Sequence, residues 1–181
     1  MLRAVLFDFG GVILTSPFES FAAYERRAGL AEGTIRSINA TNSDDNAWAR
    51  LERSDVGIDD FVELFEAEAR ELGHEVSGAE VLECLRGEVR PEMVEAIVRL
   101  KERFSVALLT NNFVTGSPDW SAGGSFTDIV GLFDCVVESS RVGCRKPECS
   151  TCISVTRSCR TTADPCQTST VSAATTSSTT T

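Results

Sequence analysis

The sequence predicts an open α/β fold: a Rossmann-like parallel sheet with an all-helical insertion after its first strand. Three observations carry that prediction. Short β-like runs ending in polar residues recur at "AVLFDF", "SVALLTNN" and "DCVVESS". A helical pattern precedes each of the later two, as the crossovers of a parallel sheet require. Between the first and second runs lies a long stretch with helical periodicity and no strand pattern.

Taken in order, "AVLF" (residues 4–7) is continuously apolar, the pattern of a strand buried on both faces. From about Phe18 to Glu88 the spacing predicts four helices. The first begins with Phe18, Phe21, Ala22 and Glu25, and "AWARLER" supplies the second. The third, "IDDFVELFEAEARELG", places Phe61, Leu64, Phe65 and Glu68 at helical spacing and ends at Gly73. Asp59 and Asp60 near its start suit the positive end of the helix dipole. The fourth, "SGAEVLECLRGE", is opened by Ser77. Trp48 and Phe65 read as core residues, and His74, the one histidine, as a solvated residue past a helix end. Beyond the insertion, Pro91 starts a helix with Met93, Ile97 and Leu100 along one face. A strand at "SVALLTNN", a short helix at "FTDIVGLF" and a strand at "DCVVESS" follow. The expected organisation is therefore an α/β core from 1–16 and 89–148, a helical cap over 17–88, and a separate segment over 149–181.

Composition limits the function. With 181 residues, 42% of them apolar, the chain can bury one core with a small inserted subdomain. A net charge of −10 and a pI near 4.6 argue against nucleic acid or an anionic membrane as partner, since both demand a basic stripe. The opening residues lack the pattern of a signal peptide, and no apolar run is long enough to span a bilayer. A cytoplasmic protein acting on a small molecule is expected. The composition changes abruptly at Cys149. From there Ser, Thr and Cys dominate, and Leu, Phe, Tyr, Trp, Met and Gly do not occur. Such a segment buries too little apolar surface to offset its ordering entropy and is expected to be disordered. "CSTC" has the C-x₂-C spacing of zinc and redox sites, but Cys159 and Cys166 are too far apart to make a second pair, so no metal knuckle is expected.

Chemistry in an open parallel sheet lies at the carboxyl ends of its strands. The residues that end these runs are Asp8, then Thr110 and Asn111, then Glu138 to Ser140 with Lys146 beyond. An aspartate closing an apolar run is costly unless solvent, a cation or chemistry compensates it. The set suits attack on an electrophile with an anionic transition state. Asp8 is the nucleophile, Thr110 and Asn111 are hydrogen-bond donors, and Lys146 is the counter-charge. Gly10 and Gly11 let the backbone turn close to a substrate and offer it N–H groups.

"LFDFGGVI", "LLTNN" and "VGCRKPE" occur in this order, with the helical stretch between the first two. Together they resemble the first three motifs of the haloacid dehalogenase superfamily with its subclass-I cap, over Leu2 to Glu148. The resemblance implies a magnesium-dependent phosphohydrolase that cleaves a small phosphate ester through an aspartyl-phosphate at Asp8. In that scheme Lys146 is catalytic, and Gly10, Gly11, Thr110 and Asn111 bind the phosphate. Mg²⁺ rests on the Asp8 carboxylate and the Gly10 backbone. The cation offsets the repulsion between an anionic nucleophile and an anionic phosphoryl group.

Two departures stand out. Phosphatases of the superfamily carry a second aspartate, the general acid and base, two positions after the nucleophile. Gly10 stands there instead, which forgoes about 10²–10⁴ in rate. The superfamily's last acidic motif is also missing after Lys146, where the sole carboxylate side chain past Glu148 is Asp164. Leu-Asp-Asp written CTC-GAC-GAC and read one base late gives TCG-ACG-AC, which is Ser-Thr-Thr, so the residues after about Glu148 are expected to come from a shifted reading frame. The chain is expected to be an impaired or inactive phosphatase. Two alternatives remain open. Carbon–halogen hydrolysis needs neither metal nor second aspartate, and a cap arginine such as Arg26, Arg27 or Arg50 would serve it. The other is a catalytically silent binding or regulatory module.

Overall fold

A computed structural model describes residues 4–113 and 125–147. The chain enters as β1 (Ala4–Phe7) and passes into five helices: α1 (Pro17–Ala28), α2 (Thr34–Ala40), α3 (Ala47–Glu52), α4 (Ile58–Glu71) and α5 (Gly78–Glu83). It returns through α6 (Pro91–Lys101) to β2 (Ser105–Thr110), then α7 (Ser125–Val130), β3 (Cys135–Glu138) and the short α8 (Ser139–Val142). The strands form one parallel sheet in the order β1-β2-β3. Its register sets Phe7 beside Leu108 and Thr110 beside Glu138, so the carboxyl ends of all three strands share one edge.

Local chemistry explains the helix ends. Ser16 Oγ accepts from the Phe18 N–H and Pro17 occupies the first turn of α1, which closes at Gly29 with φ 70°. Asn46 caps α3 by accepting from Ala49 N–H, while its amide nitrogen donates to the carbonyls of Asn39 and Thr41. α2 was not among the four helices expected from sequence. Its N-cap is Gly33 in the left-handed region, with no capping side chain of its own. The cap comes from another helix: the buried Glu25 of α1 accepts the N–H groups of Gly33 and Ile35, both at 2.8 Å. A carboxylate supplied across space at a helix N-terminus leaves no local signature.

Apolar side chains gather in two clusters. One unites the five helices of the insertion around Ile35, Trp48, Leu51, Phe61, Phe65 and Val81. The other joins the sheet to α6 and α7 through Phe7, Ile97, Val106, Leu108, Ile129 and Phe133. Trp48 packs on Phe61 and Phe65 at ring separations of 4.7 and 6.3 Å, which makes it a core residue. β1 departs from the expectation of burial on both faces, since Leu6 is 49% exposed and Ala4 is exposed. Val5 and Phe7 face the core, while no described element covers the opposite face of β1, where Ala4 and Leu6 lie. No described helix is long and apolar enough to cross a membrane. The Ser/Thr/Cys-rich stretch 149–181 lies outside the described residues.

The insertion is tied to the sheet through a two-stranded neck. Leu14 and Val89 form an antiparallel bridge, Thr15 N–H donates to Glu88 O, and Arg90 N–H donates to Ile13 O. Gly87 makes the close approach possible, because a Cβ there would lie 3.1 Å from both Leu14 Cβ and Thr15 O. Gly87→Ala is expected to lower stability by ~1–3 kcal/mol through overpacking. The shift in urea midpoint against wild type measures it, and an unchanged midpoint would show that the neck relaxes freely.

Candidate active site

Asp8 follows β1 directly and stands at the carboxyl edge of the sheet. Its Oδ1 accepts the Phe9 N–H at 2.8 Å and lies 2.7 Å from Lys146 Nζ. The lysine ammonium donates also to Leu109 O in β2 at 3.1 Å. A residue far along the chain thus reaches Asp8 because parallel pairing brings the strand ends together. Asp8 Oδ2 takes no partner among the described residues, which leaves that oxygen available to an electrophile.

The turn after Asp8 is knotted on one carbonyl, Phe9 O, which accepts from the N–H groups of Val12, Ile13 and Leu14. The Gly10 and Gly11 N–H groups find no acceptor among the described residues and stand exposed beside Asp8. Gly11 has φ 73°, a conformation that L side chains adopt at a cost. Gly10 is different, since a Cβ there would meet nothing within 4 Å.

Thr110 and Asn111 end β2 as expected, but their side chains face protein partners. Thr110 is buried and its hydroxyl donates to Asn111 O at 3.2 Å. The Asn111 carboxamide clasps the Lys146 backbone: Oδ1 accepts Lys146 N–H at 2.8 Å and Nδ2 donates to Lys146 O at 3.2 Å. In this arrangement the side chain holds the lysine backbone. Asn112 joins β2 to β3 in the same manner, donating to Glu138 Oε2 and accepting from the Ser140 hydroxyl at 2.8 Å.

Two residues to which no role was assigned from sequence, Glu52 and Arg145, meet at the site. Glu52, the last residue of α3, accepts from Asn111 Nδ2 at 3.1 Å and from Arg145 Nε at 2.5 Å. Arg145 also donates to Ser43 O at 2.8 Å. Burial pushes the Glu52 carboxyl above its ordinary pKa, against the opposing pull of Arg145, Asn111 and Lys146. Of the cap arginines, Arg27 pairs with Glu80 and Arg50 with Asp45, each within the insertion, and Arg26 is exposed on α1.

Magnesium demands six oxygen ligands in a near-octahedral shell, several of which are usually water. At this edge the described residues offer it the Asp8 carboxylate and the Gly10 carbonyl. No group of three or more His, Cys, Asp or Glu residues suited to a metal occurs among the described residues. Toward a magnesium ion the described residues thus supply part of a shell that water or further ligands would have to complete.

Fold and site define a class: an open α/β protein with an Asp–Lys pair at the carboxyl edge of a parallel sheet and a helical insertion after its first strand. Residues 2–151 match the family model of the haloacid dehalogenase-like hydrolases, and the chain belongs to that family. It is 31% identical over 153 residues to acyl-CoA dehydrogenase family member 10 of Mus musculus, covering 81% of this chain and 14% of the relative. It is 27% identical over 161 residues to bifunctional epoxide hydrolase 2 of Sus scrofa, covering 81% of this chain and 29% of the relative. The chain therefore spans less than a third of either relative's length. A HAD family enzyme of Bacteroides thetaiotaomicron, solved with magnesium and inorganic phosphate, shares the fold at TM-score 0.52 and 16% identity, over 87% of this chain and 79% of that one. L-2-haloacid dehalogenase of Xanthobacter autotrophicus, with chloropropionic acid covalently bound, does so at TM-score 0.54 and 18% identity, over 90% and 66%.

Proposed function

We propose that the protein is a hydrolase of small phosphate esters that works through a covalent intermediate on Asp8. The observation that carries this reading is the Asp8–Lys146 pair beside two unpartnered glycine N–H groups. An Asp8 carboxylate oxygen attacks phosphorus, the bond to the ester oxygen breaks, and the alkoxide leaves with a proton from water. Water then attacks the aspartyl-phosphate, which releases inorganic phosphate and regenerates the carboxylate. Lys146 and the Gly10 and Gly11 N–H groups stabilise the charge on the transferring oxygens. No side chain at position 10 protonates the leaving group, so turnover is slow. The relative solved with magnesium and phosphate supports Mg²⁺ as the family's cofactor. In this chain any such ion would need ligands beyond Asp8 and Gly10. The insertion over 17–88 acts in this reading as a cap on the neck between residues 13–15 and 88–90.

A second reading, carbon–halogen hydrolysis, is favoured by Gly10 and by the dehalogenase that shares the fold. Against it, Arg27 and Arg50 are already paired with Glu80 and Asp45. A panel separates the readings: phosphate release from phosphomonoesters with added magnesium, and halide release from 2-haloacids, each measured on the 181-residue chain. Slow phosphate release that disappears in Asp8→Asn is the expected result. Halide release alone would establish the second reading, and neither product would mark a catalytically silent module.

A further inference from the structure

We infer that Glu52, carried by the helical insertion, is a positioning residue that makes the placement of Lys146 depend on docking of the insertion against the sheet. The inference rests on the reading of Asp8 and Lys146 as the reacting pair. One carboxylate oxygen, Glu52 Oε2, receives both Asn111 Nδ2 and Arg145 Nε. Asn111 in turn holds the N–H and the carbonyl of Lys146, and Arg145 is the residue immediately before it. Lys146 is thereby gripped on both sides by groups that converge on a single atom of another element.

The chemistry of Glu52 makes the grip directional. A carboxylate accepts and does not donate, so it reinforces the Asn111 amide orientation that the Lys146 N–H and carbonyl also require. In that orientation Oδ1 is left to accept Lys146 N–H and the second Nδ2 hydrogen reaches Lys146 O, which uses both amide donors. A flipped amide would set a carbonyl against the carboxylate and lose all three bonds. Glu52 and Arg145 are about equally shielded, at 18% and 17% side-chain exposure, so loss of the carboxylate removes a charge-assisted bond from a poorly solvated place. Two further polar contacts of this junction, Arg145 to Ser43 O and Ser54 Oγ to Ser140 O at 3.0 Å, do not touch Asn111 or the Lys146 backbone. Movement of the insertion away from the sheet takes Glu52 with it and loosens the lysine on Asp8.

The chain's lysines are Lys101 and Lys146, which gives a test independent of turnover. Lys101 contacts Leu132 O and Asp134, far from Glu52 in the network, and serves as internal reference. Limited acetylation of the full chain, read by peptide mass spectrometry, gives the Lys146:Lys101 labelling ratio. Glu52→Ala is expected to raise that ratio about tenfold, the effect of losing hydrogen bonds to a charged group. Glu52→Gln keeps the size and one acceptor and is expected to give a smaller rise, and it decides the matter if the alanine variant does not fold. Ser54→Ala, which removes a docking contact without touching the clasp, is expected to raise the ratio much less than Glu52→Ala does. An unchanged ratio in a folded Glu52 variant overturns the inference, as does an equal rise in Ser54→Ala. Failure of the Asp8 reading would show instead as phosphate-mimic capture that persists in Asp8→Asn, a result the labelling ratio does not influence.

Discussion

Asp8→Asn is expected to abolish capture of beryllofluoride, a mimic of the phosphoryl group on a carboxylate oxygen, by the full chain. Removal of a covalent nucleophile costs on the order of 10⁶ in turnover in enzymes that depend on one. In a slow catalyst that loss falls to background, so binding of the mimic is the sharper measurement. The variant remains folded, because Asp8 is 47% exposed and its pair with Lys146 is partly screened by water. Asparagine keeps an oxygen for Phe9 N–H, so the turn after β1 retains its local bond. Fluorine NMR on wild type and variant, with circular dichroism as the folding control, gives the comparison. Equal capture by both would remove Asp8 from the chemistry.

Gly10→Asp is expected to accelerate phosphate release by about 10²–10⁴, the contribution of a positioned general acid. The structure provides the room: a Cβ at Gly10 meets no atom within 4 Å, and the position lies outside the left-handed region. The new carboxyl would stand two residues beyond Asp8, on the turn whose glycine N–H groups border the site. Gly11→Asp is the control, since φ 73° imposes strain of about 1–2 kcal/mol on an L residue and its side chain would leave the turn elsewhere. Phosphate release by the folded Gly10→Asp variant at the parent rate would show that the missing acid is not what limits this chain.

Much of this architecture was legible in the residues themselves. The apolar runs that became β1, β2 and β3 and the strong period of α4 are local signals, carried by side chains whose spacing matches a strand or a helix face. The order of the residues likewise sets Asp8 and the Thr110–Asn111 pair at strand ends, with Lys146 beyond the third strand. The rest depended on contacts between distant residues. α2 exists as a helix end satisfied by Glu25 from α1, and β1 exposes Leu6 because no described element packs on that side chain. Asn111 reads in sequence as a donor toward substrate. Tertiary structure commits it to Lys146, 35 residues away, and to Glu52, 59 residues away. Glu52 meets Arg145 across 93 residues. Local periodicity determines which segments become strands and helices. The choice of partner for each polar group is made only when packing removes water and leaves one geometry in which the bonds are satisfied.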